Sequence, residues 1–198
     1  MRLVLASASP RRRALLSDAG FVFDVAVAKA DEHRQPDESP AQYVERIALE
    51  KARLIAAAYP GAVVLGADTE VVLDDVVFGK PVDRADAARM LKLLSGRAHE
   101  VLTAFAIVGC GRESAAVVGA QVWFRPLSDP EILGYVATAE PFDKAGAYAI
   151  QGRAAAFVER VEGAEATVIG LPVVEVVEAL RRFGLTPGGP AQSCVRQA

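Results

Sequence analysis

Leu3-Val4-Leu5-Ala6-Ser7-Ala8-Ser9-Pro10-Arg11-Arg12-Arg13-Ala14-Leu15-Leu16 is the stretch that decides the fold class. Three apolar residues, a turn of small ones and an apolar-periodic run after a proline read as strand, tight turn and helix. Ser9 suits the N-cap and Pro10 the first helical position. Such a helix opens with backbone N–H groups directed into the turn, two serine hydroxyls beside them and arginines directly after. Donors, a positive dipole end and guanidinium forks suit a phosphate chain. The plainer reading is a capped helix with a solvated basic first turn. Basic residues there oppose the helix dipole and need a compensating partner. Both readings stand on this stretch alone.

Downstream the same alternation continues. The helix is expected to run to about Ala19, with Gly20 as its stop. Phe21 to Val27 alternates and predicts a strand, and Lys29 to Glu38 a polar loop carrying Asp31, Glu32, His33 and Arg34. Ser39-Pro40-Ala41-Gln42 has the form of a capping box. The helix after it places Val44, Ile47, Ala48, Leu54 and Ile55 on its apolar stripe, with Glu50 and Lys51 off it and Lys51 able to reach into a cleft. Ala62 to Ala67 is the continuous apolar run of a strand buried on both faces, with Asp68-Thr69 at its C-terminal end, where ligands gather in α/β sheets. Glu70 to Leu73 continues the strand, Asp74-Asp75 turns it, and Val76 to Phe78 returns it to Gly79-Lys80-Pro81. Asp83 caps a helix ending at Ser95-Gly96. A long hairpin follows, His99 to Val108 and Ala115 to Phe124. Ser128-Asp129-Pro130 starts another helix. Glu140 to Gly152 is polar and glycine-containing, Ala155 to Val161 is a strand, and Leu171 to Phe183 is an amphipathic helix. Thr186 onward reads as a frayed tail.

The 198 residues fit one domain, or one domain with two lobes. Apolar residues make up 52% and charged ones 24%, a globular balance. A net charge of −3 argues against a general nucleic-acid binder, so a local basic patch fits a small anionic ligand better. Arginines after Ala8 interrupt any signal-peptide core, and Tyr59-Pro60-Gly61 breaks the longest apolar stretch, Leu54 to Ala67. A soluble cytoplasmic protein is the expectation, with no membrane and no nucleic-acid partner. Cys110 and Cys194 are too few for a disulfide framework, and with only His33 and His99 a structural zinc site is not expected. Nothing in the sequence positions a Cys110–histidine nucleophile.

The phosphate loop, the dinucleotide fingerprint and the nucleophile elbow are all missing from the sequence. What remains is charge at the ends of apolar strands. Asp68 follows six apolar or small residues, and a carboxylate there binds a hard divalent cation or acts as a general base. Its plainer reading is a turn residue. Lys51, Lys80, Arg11 and Arg12 are natural neutralisers of a polyphosphate, though each taken alone reads as a solvated surface residue before it reads as a ligand. Asp143-Lys144 reads as a structural ion pair. Gln151 offers a bidentate amide of the kind that reads a base edge.

Taken together, Ser7-Ala8-Ser9-Pro10-Arg11-Arg12, Gly66-Ala67-Asp68-Thr69, Gly79-Lys80-Pro81, Ser95-Gly96-x-x-His99-x-Val101-x-Thr103 and Asp143-Lys144-Ala145-Gly146-x-Tyr148-x-Ile150-Gln151-Gly152 resemble the Maf family of nucleoside triphosphate pyrophosphatases. The motifs extend to Val168-Ile169-Gly170-Leu171-Pro172, and the resemblance covers roughly residues 2 to 184. It implies an α/β fold of the Maf/Ham1-like kind: an elongated central mixed β-sheet flanked by helices, in two lobes with a cleft between them. The whole would be a single two-lobed domain over 1–185, with a flexible tail over 186–198.

The resemblance also implies a hydrolase that converts a nucleoside triphosphate to the monophosphate and pyrophosphate, with a divalent metal, Mg²⁺ or Mn²⁺. One branch of the family prefers dTTP and UTP, a house-cleaning role that extends to modified pyrimidine nucleotides. Another prefers 7-methyl-GTP and carries Trp, Gln and Glu at three positions where this chain has Arg11, Thr69 and Gln151. These three match the pyrimidine branch. By resemblance Asp68 is the proton acceptor; Ser7, Ser9, Arg11, Arg12, Lys51 and Lys80 surround the phosphates; and Asp68 and Glu32 are candidate metal ligands. The chain departs from the family pattern at Ala164 to Thr167. The alternatives are a 7-methyl-GTP pyrophosphatase and a non-enzymatic nucleotide-binding regulator of septum formation and cell division. A homodimer stays open.

Overall fold

The computed structural model describes residues 1–27 and 29–188. The proposed tail over 186–198 therefore lies, from residue 189 on, outside the described residues. Seven strands form one mixed sheet: β1 (Leu3–Leu5), β2 (Asp24–Val25), β3 (Val63–Leu73), β4 (Val76–Phe78), β5 (Ala98–Gly109), β6 (Arg112–Phe124) and β7 (Val158–Glu162). The order is β2-β1-β3-β5-β6-β7, with β4 paired to β3. β1 lies parallel to β2 and β3, whereas β4 on β3 and β7 on β6 are antiparallel. The helices are α1 (Pro10–Asp18), α2 (Pro40–Ala58), α3 (Arg84–Leu94), α4 (Asp129–Val136), α5 (Glu165–Ile169) and α6 (Val173–Arg182).

The local signals account for most boundaries. Ser9 caps α1 by accepting from the N–H of Arg12, and Gly20, at φ 83°, closes it. Ser39 and Gln42 form the reciprocal capping box of α2. Asp74 and Asp75, at φ 50° and 61°, make the two-residue turn from β3 to β4. Elsewhere tertiary context overrides the pattern. The strand expected over Phe21–Val27 shrinks to Asp24–Val25, because β1 offers only three residues to pair with. The strand expected at Ala155 begins at Val158, after a 3₁₀ turn over Arg153–Phe157. Leu54 is half exposed and Ala52 takes its place on the buried stripe of α2, following the spacing 44, 48, 52, 55. Lys51 belongs to that inward side as well, its side chain 12% exposed.

The described residues form two compact units: one from residues 1–68, 103–118 and 170 onward, the other from residues 69–102 and 119–169. Each has its own apolar core. In the first, Leu5, Leu16, Leu65, Ile107, Leu171 and Leu180 are buried under α1 and α6. In the second, Leu91, Leu94, Val122, Phe124, Ile132 and Phe157 pack with α3 and α4. Among the described residues no helix is long and apolar enough to cross a membrane.

Candidate active site

The opening turn resolves its own dipole mismatch. No acidic residue stands in the first turn of α1. Instead the Arg12 side chain folds back across the turn. Its Nε donates to the carbonyl of Gly170 at 2.8 Å, and Nη1 donates to the carbonyl of Ala67 at 2.8 Å and to Ser7 Oγ at 3.3 Å. Backbone carbonyls are the compensating partners. Arg12 therefore ties the turn to the strand residue just before Asp68 and to the residue at which the chain re-enters the first unit. Ser7 Oγ also accepts the N–H of Ser9 at 3.2 Å, so its own hydroxyl proton remains to donate. Arg11 and Ser9 are half-buried at the same helix start, while Arg13 points to solvent.

Next to this turn a chain of charges crosses from α2 to β3. Lys51 Nζ donates to Asp68 Oδ1 at 2.8 Å and lies 2.7 Å from Glu32 Oε1. The Asp68 side chain is 9% exposed and that of Glu32 52%. Asp68 Oδ2 is buried and takes no hydrogen bond among the described residues. Two carboxylates around one ammonium leave one net negative charge, with an acceptor oxygen in hand.

Gly66 permits this meeting. A Cβ there would lie 2.8 Å from the N of Ala52 and would overlap the carbonyl oxygen of Ala48. Only a residue without a side chain lets α2 settle this close to β3, and the settling puts Lys51 within reach of Asp68. A lone glycine inside an apolar strand run was the sequence signal for it. Nor does the strand end at Asp68: β3 continues to Leu73, so Asp68 and Thr69 sit in mid-strand. Glu70, Val71 and Val72 keep the β pattern going, and the Lys51 ammonium offsets the burial of the Asp68 charge.

The loop that delivers Glu32 is anchored by two residues of α2. Tyr43 Oη donates to the Glu32 carbonyl at 2.6 Å. Arg46 grips Glu38 with both forks, at 2.7 and 2.9 Å, and donates to the His33 carbonyl at 2.9 Å. The Arg46 guanidinium holds the Glu38 carboxyl below its ordinary value. Nothing in the sequence pattern of α2 distinguishes Arg46 as a clasp.

Thr69, Lys80 and Gln151 belong to the second unit. Thr69 is half-buried, and Lys80 and Gln151 are exposed. Lys80 follows Gly79, whose carbonyl accepts the N–H of Gly146 at 3.1 Å. Asp143 and Lys144 form the expected ion pair, and Lys144 Nζ also donates to the carbonyl of Glu140 at 2.8 Å. Gln151 stands on a turn just before the 3₁₀ segment Arg153–Phe157. Three residues upstream, Tyr148 shares a 2.9 Å hydrogen bond with His99 Nε2. His99 meets Phe124 and Tyr148 edge-on, at ring centroids 4.9 and 5.4 Å apart. Burial pushes its imidazole down to about 4 and keeps it neutral, so His99 packs and anchors.

Comparison with known proteins gives the family of the chain. The family model described as Maf-like protein matches residues 2–183. A dTTP/UTP pyrophosphatase of Symbiobacterium thermophilum is 53% identical over 183 residues, spanning 92% of this chain and 94% of its own length. Another, from Geobacter metallireducens, is 52% identical over 92% of this chain and 96% of its own. A third, from Anaeromyxobacter dehalogenans, is 54% identical over 92% of this chain and 94% of its own.

Proposed function

This chain belongs to the Maf family, and we propose that it hydrolyses nucleoside triphosphates, with dTTP and UTP preferred, to the monophosphate and pyrophosphate. The observation that carries the proposal is the buried Asp68 carboxylate, with one oxygen held by Lys51 and the other, Oδ2, taking no hydrogen bond among the described residues. The substrate preference rests on the activity named for the relatives and on Arg11, Thr69 and Gln151.

In this reading Asp68 Oδ2 accepts the proton of a water that attacks the α-phosphorus. A P–O bond to that water forms as the bond to the bridging oxygen breaks, and pyrophosphate leaves. Lys51 fixes Asp68 in orientation, and Glu32 fixes Lys51 from its other side. The Ser7 hydroxyl, the Arg11 side chain and the N-terminal turn of α1 face the phosphates, with Arg12 adding its charge from a clamped position.

The residues present fit a divalent cation of the Mg²⁺ or Mn²⁺ kind. Asp68 and Glu32 would hold it, since two carboxylates around one ammonium leave a net negative charge and offer hard oxygen donors. Among the described residues no group of three or more His, Cys, Asp or Glu gathers as a metal cage. That suits an ion that takes one or two carboxylates and completes its shell with phosphate oxygens and water. When bound, such an ion neutralises the triphosphate and polarises its oxygens.

The test is a nucleotide panel with Mg²⁺ or Mn²⁺, scored for products. Pyrophosphate and dTMP from dTTP, with GTP and 7-methyl-GTP turned over more slowly, is the expected result. Inorganic phosphate and dTDP, or a preference for 7-methyl-GTP, would refute the proposal.

A further inference from the structure

The turn bearing Gln151 is gripped by a polar clasp that the hydrolysis itself does not use. Tyr135 on α4 is 4% exposed and packs edge-on against Phe157, with ring centroids 5.2 Å apart. Its hydroxyl donates to Glu140 Oε1 at 2.9 Å and accepts the N–H of Ala149 at 3.2 Å. Glu140 Oε2 accepts the N–H of Arg153 at 3.2 Å. Ala149 and Arg153 stand two residues before and two after Gln151. Between them Gly152 lies directly on the carboxylate: a Cβ there would be 2.6 Å from Oε2 and would overlap Oε1. The N–H of Gly152 donates to the Ala149 carbonyl at 2.9 Å and closes the turn. The Gln151 amide itself has no hydrogen-bond partner among the described residues. The backbone on either side of it fixes the Cα from which the side chain departs.

We propose that Tyr135 and Glu140 are positioning residues for the nucleobase: by fixing the chain on both sides of Gln151, they aim its amide at the base edge. The inference rests on the reading of Gln151 as a base-reading residue. A side-chain amide discriminates through two directed hydrogen bonds, and these weaken steeply once the angle is lost. A carboxylate that accepts two donors and lies flat on a glycine holds that angle more narrowly than apolar packing would. Burial and the neighbouring Glu140 both raise the Tyr135 phenol, so the hydroxyl stays a donor across the working pH range.

The experiment compares Tyr135→Phe, Glu140→Gln, Gln151→Ala and the Tyr135→Phe/Gln151→Ala double variant of the full chain. Tyr135→Phe keeps the ring and removes both hydroxyl bonds; Glu140→Gln keeps the shape but leaves only one oxygen to accept. The readouts are kcat and KM for dTTP and GTP, inhibition by inorganic pyrophosphate, and melting temperature. For either clasp variant the expected result is a KM for dTTP raised about fivefold, with kcat within about twofold, from the loss of one to two hydrogen bonds. The preference for dTTP over GTP falls by a similar factor, and inhibition by pyrophosphate, which makes no base contact, is unchanged. The double variant loses no more preference than Gln151→Ala alone. The inference is overturned if Gln151→Ala erases the preference while Tyr135→Phe and Glu140→Gln retain it. It is equally overturned if kcat, pyrophosphate inhibition and preference all decline together with melting temperature, which marks a structural role only. If Gln151→Ala itself leaves the preference intact, the base-reading role of Gln151 fails and this inference falls with it.

Discussion

The two polar centres of the molecule differ in what their groups are bonded to. In the first unit, Glu32, Lys51 and Asp68 are bonded chiefly to one another, and an Asp68 oxygen is left over. In the second, Tyr135 and Glu140 are bonded to backbone N–H groups of the turn they hold. The first arrangement has unsatisfied acceptor capacity at a buried carboxylate, which is costly unless something enters to use it. The second is closed on itself and stiffens a segment of chain. In the proposed reading the contrast separates a group that reacts from groups that orient.

Asp68→Asn breaks that contrast most sharply. The amide can still accept from Lys51 but cannot take a proton from water, so turnover is expected to drop on the order of 1,000-fold. Melting temperature should stay within a few degrees, because Lys51 keeps its pairing with Glu32. Steady-state rates and a thermal melt check both halves, and near-wild-type turnover would remove Asp68 from its role. Lys51→Met has the next largest effect. It strands the Asp68 carboxylate in a side-chain environment 9% exposed, at an expected cost of about 3 kcal/mol in stability, read by urea denaturation. Methionine is an unbranched chain of nearly the same length as lysine, so the substitution removes the charge with little change in volume.

The second unit predicts a smaller, pH-dependent effect. The imidazole of His99 is pushed down to about 4 from 6.5, so between these values the unfolded chain binds a proton that the folded chain does not. Stability therefore rises with pH across that window and is lost as pH falls from about 6.5 towards 4. At pH 5 the loss is expected to be about 2 kcal/mol relative to pH 7. His99→Gln, which keeps a hydrogen-bonding group opposite Tyr148, should flatten the dependence. Urea midpoints at pH 7 and 5 for the two proteins provide the check, and equal slopes would place the titration elsewhere.

Most of the fold could be read without coordinates. Ser9-Pro10, Ser39-Gln42, Asp83 and Ser128-Asp129-Pro130 mark helix starts by short-range chemistry, and the structure has helices after each. The misreadings fall where a partner decides. Phe21 to Val27 has β character, but only two of its residues are paired. Leu54 is apolar and yet faces solvent, because α2 rotates to lay Ala48 and Ala52 against Gly66.

The candidate site divides in the same manner. The residue types that suit a triphosphate are a property of the sequence: serines and arginines at a helix start, a carboxylate after an apolar run, lysines at strand and loop positions. Their roles are not, because a role depends on which atom is left over once every neighbour has been counted. Arg12 could be read as a phosphate ligand from the sequence, and the fold makes it first a clamp on the carbonyls of Ala67 and Gly170, residues 55 and 158 positions away. Glu140 could be read only as part of a polar loop, and the fold lays its carboxylate under Gly152. Short-range chemistry determined where helices start, where turns form and which charges this protein carries. Tertiary structure alone decided which of those charges are already satisfied, because hydrogen bonds between distant segments exist only once the chain has brought them together.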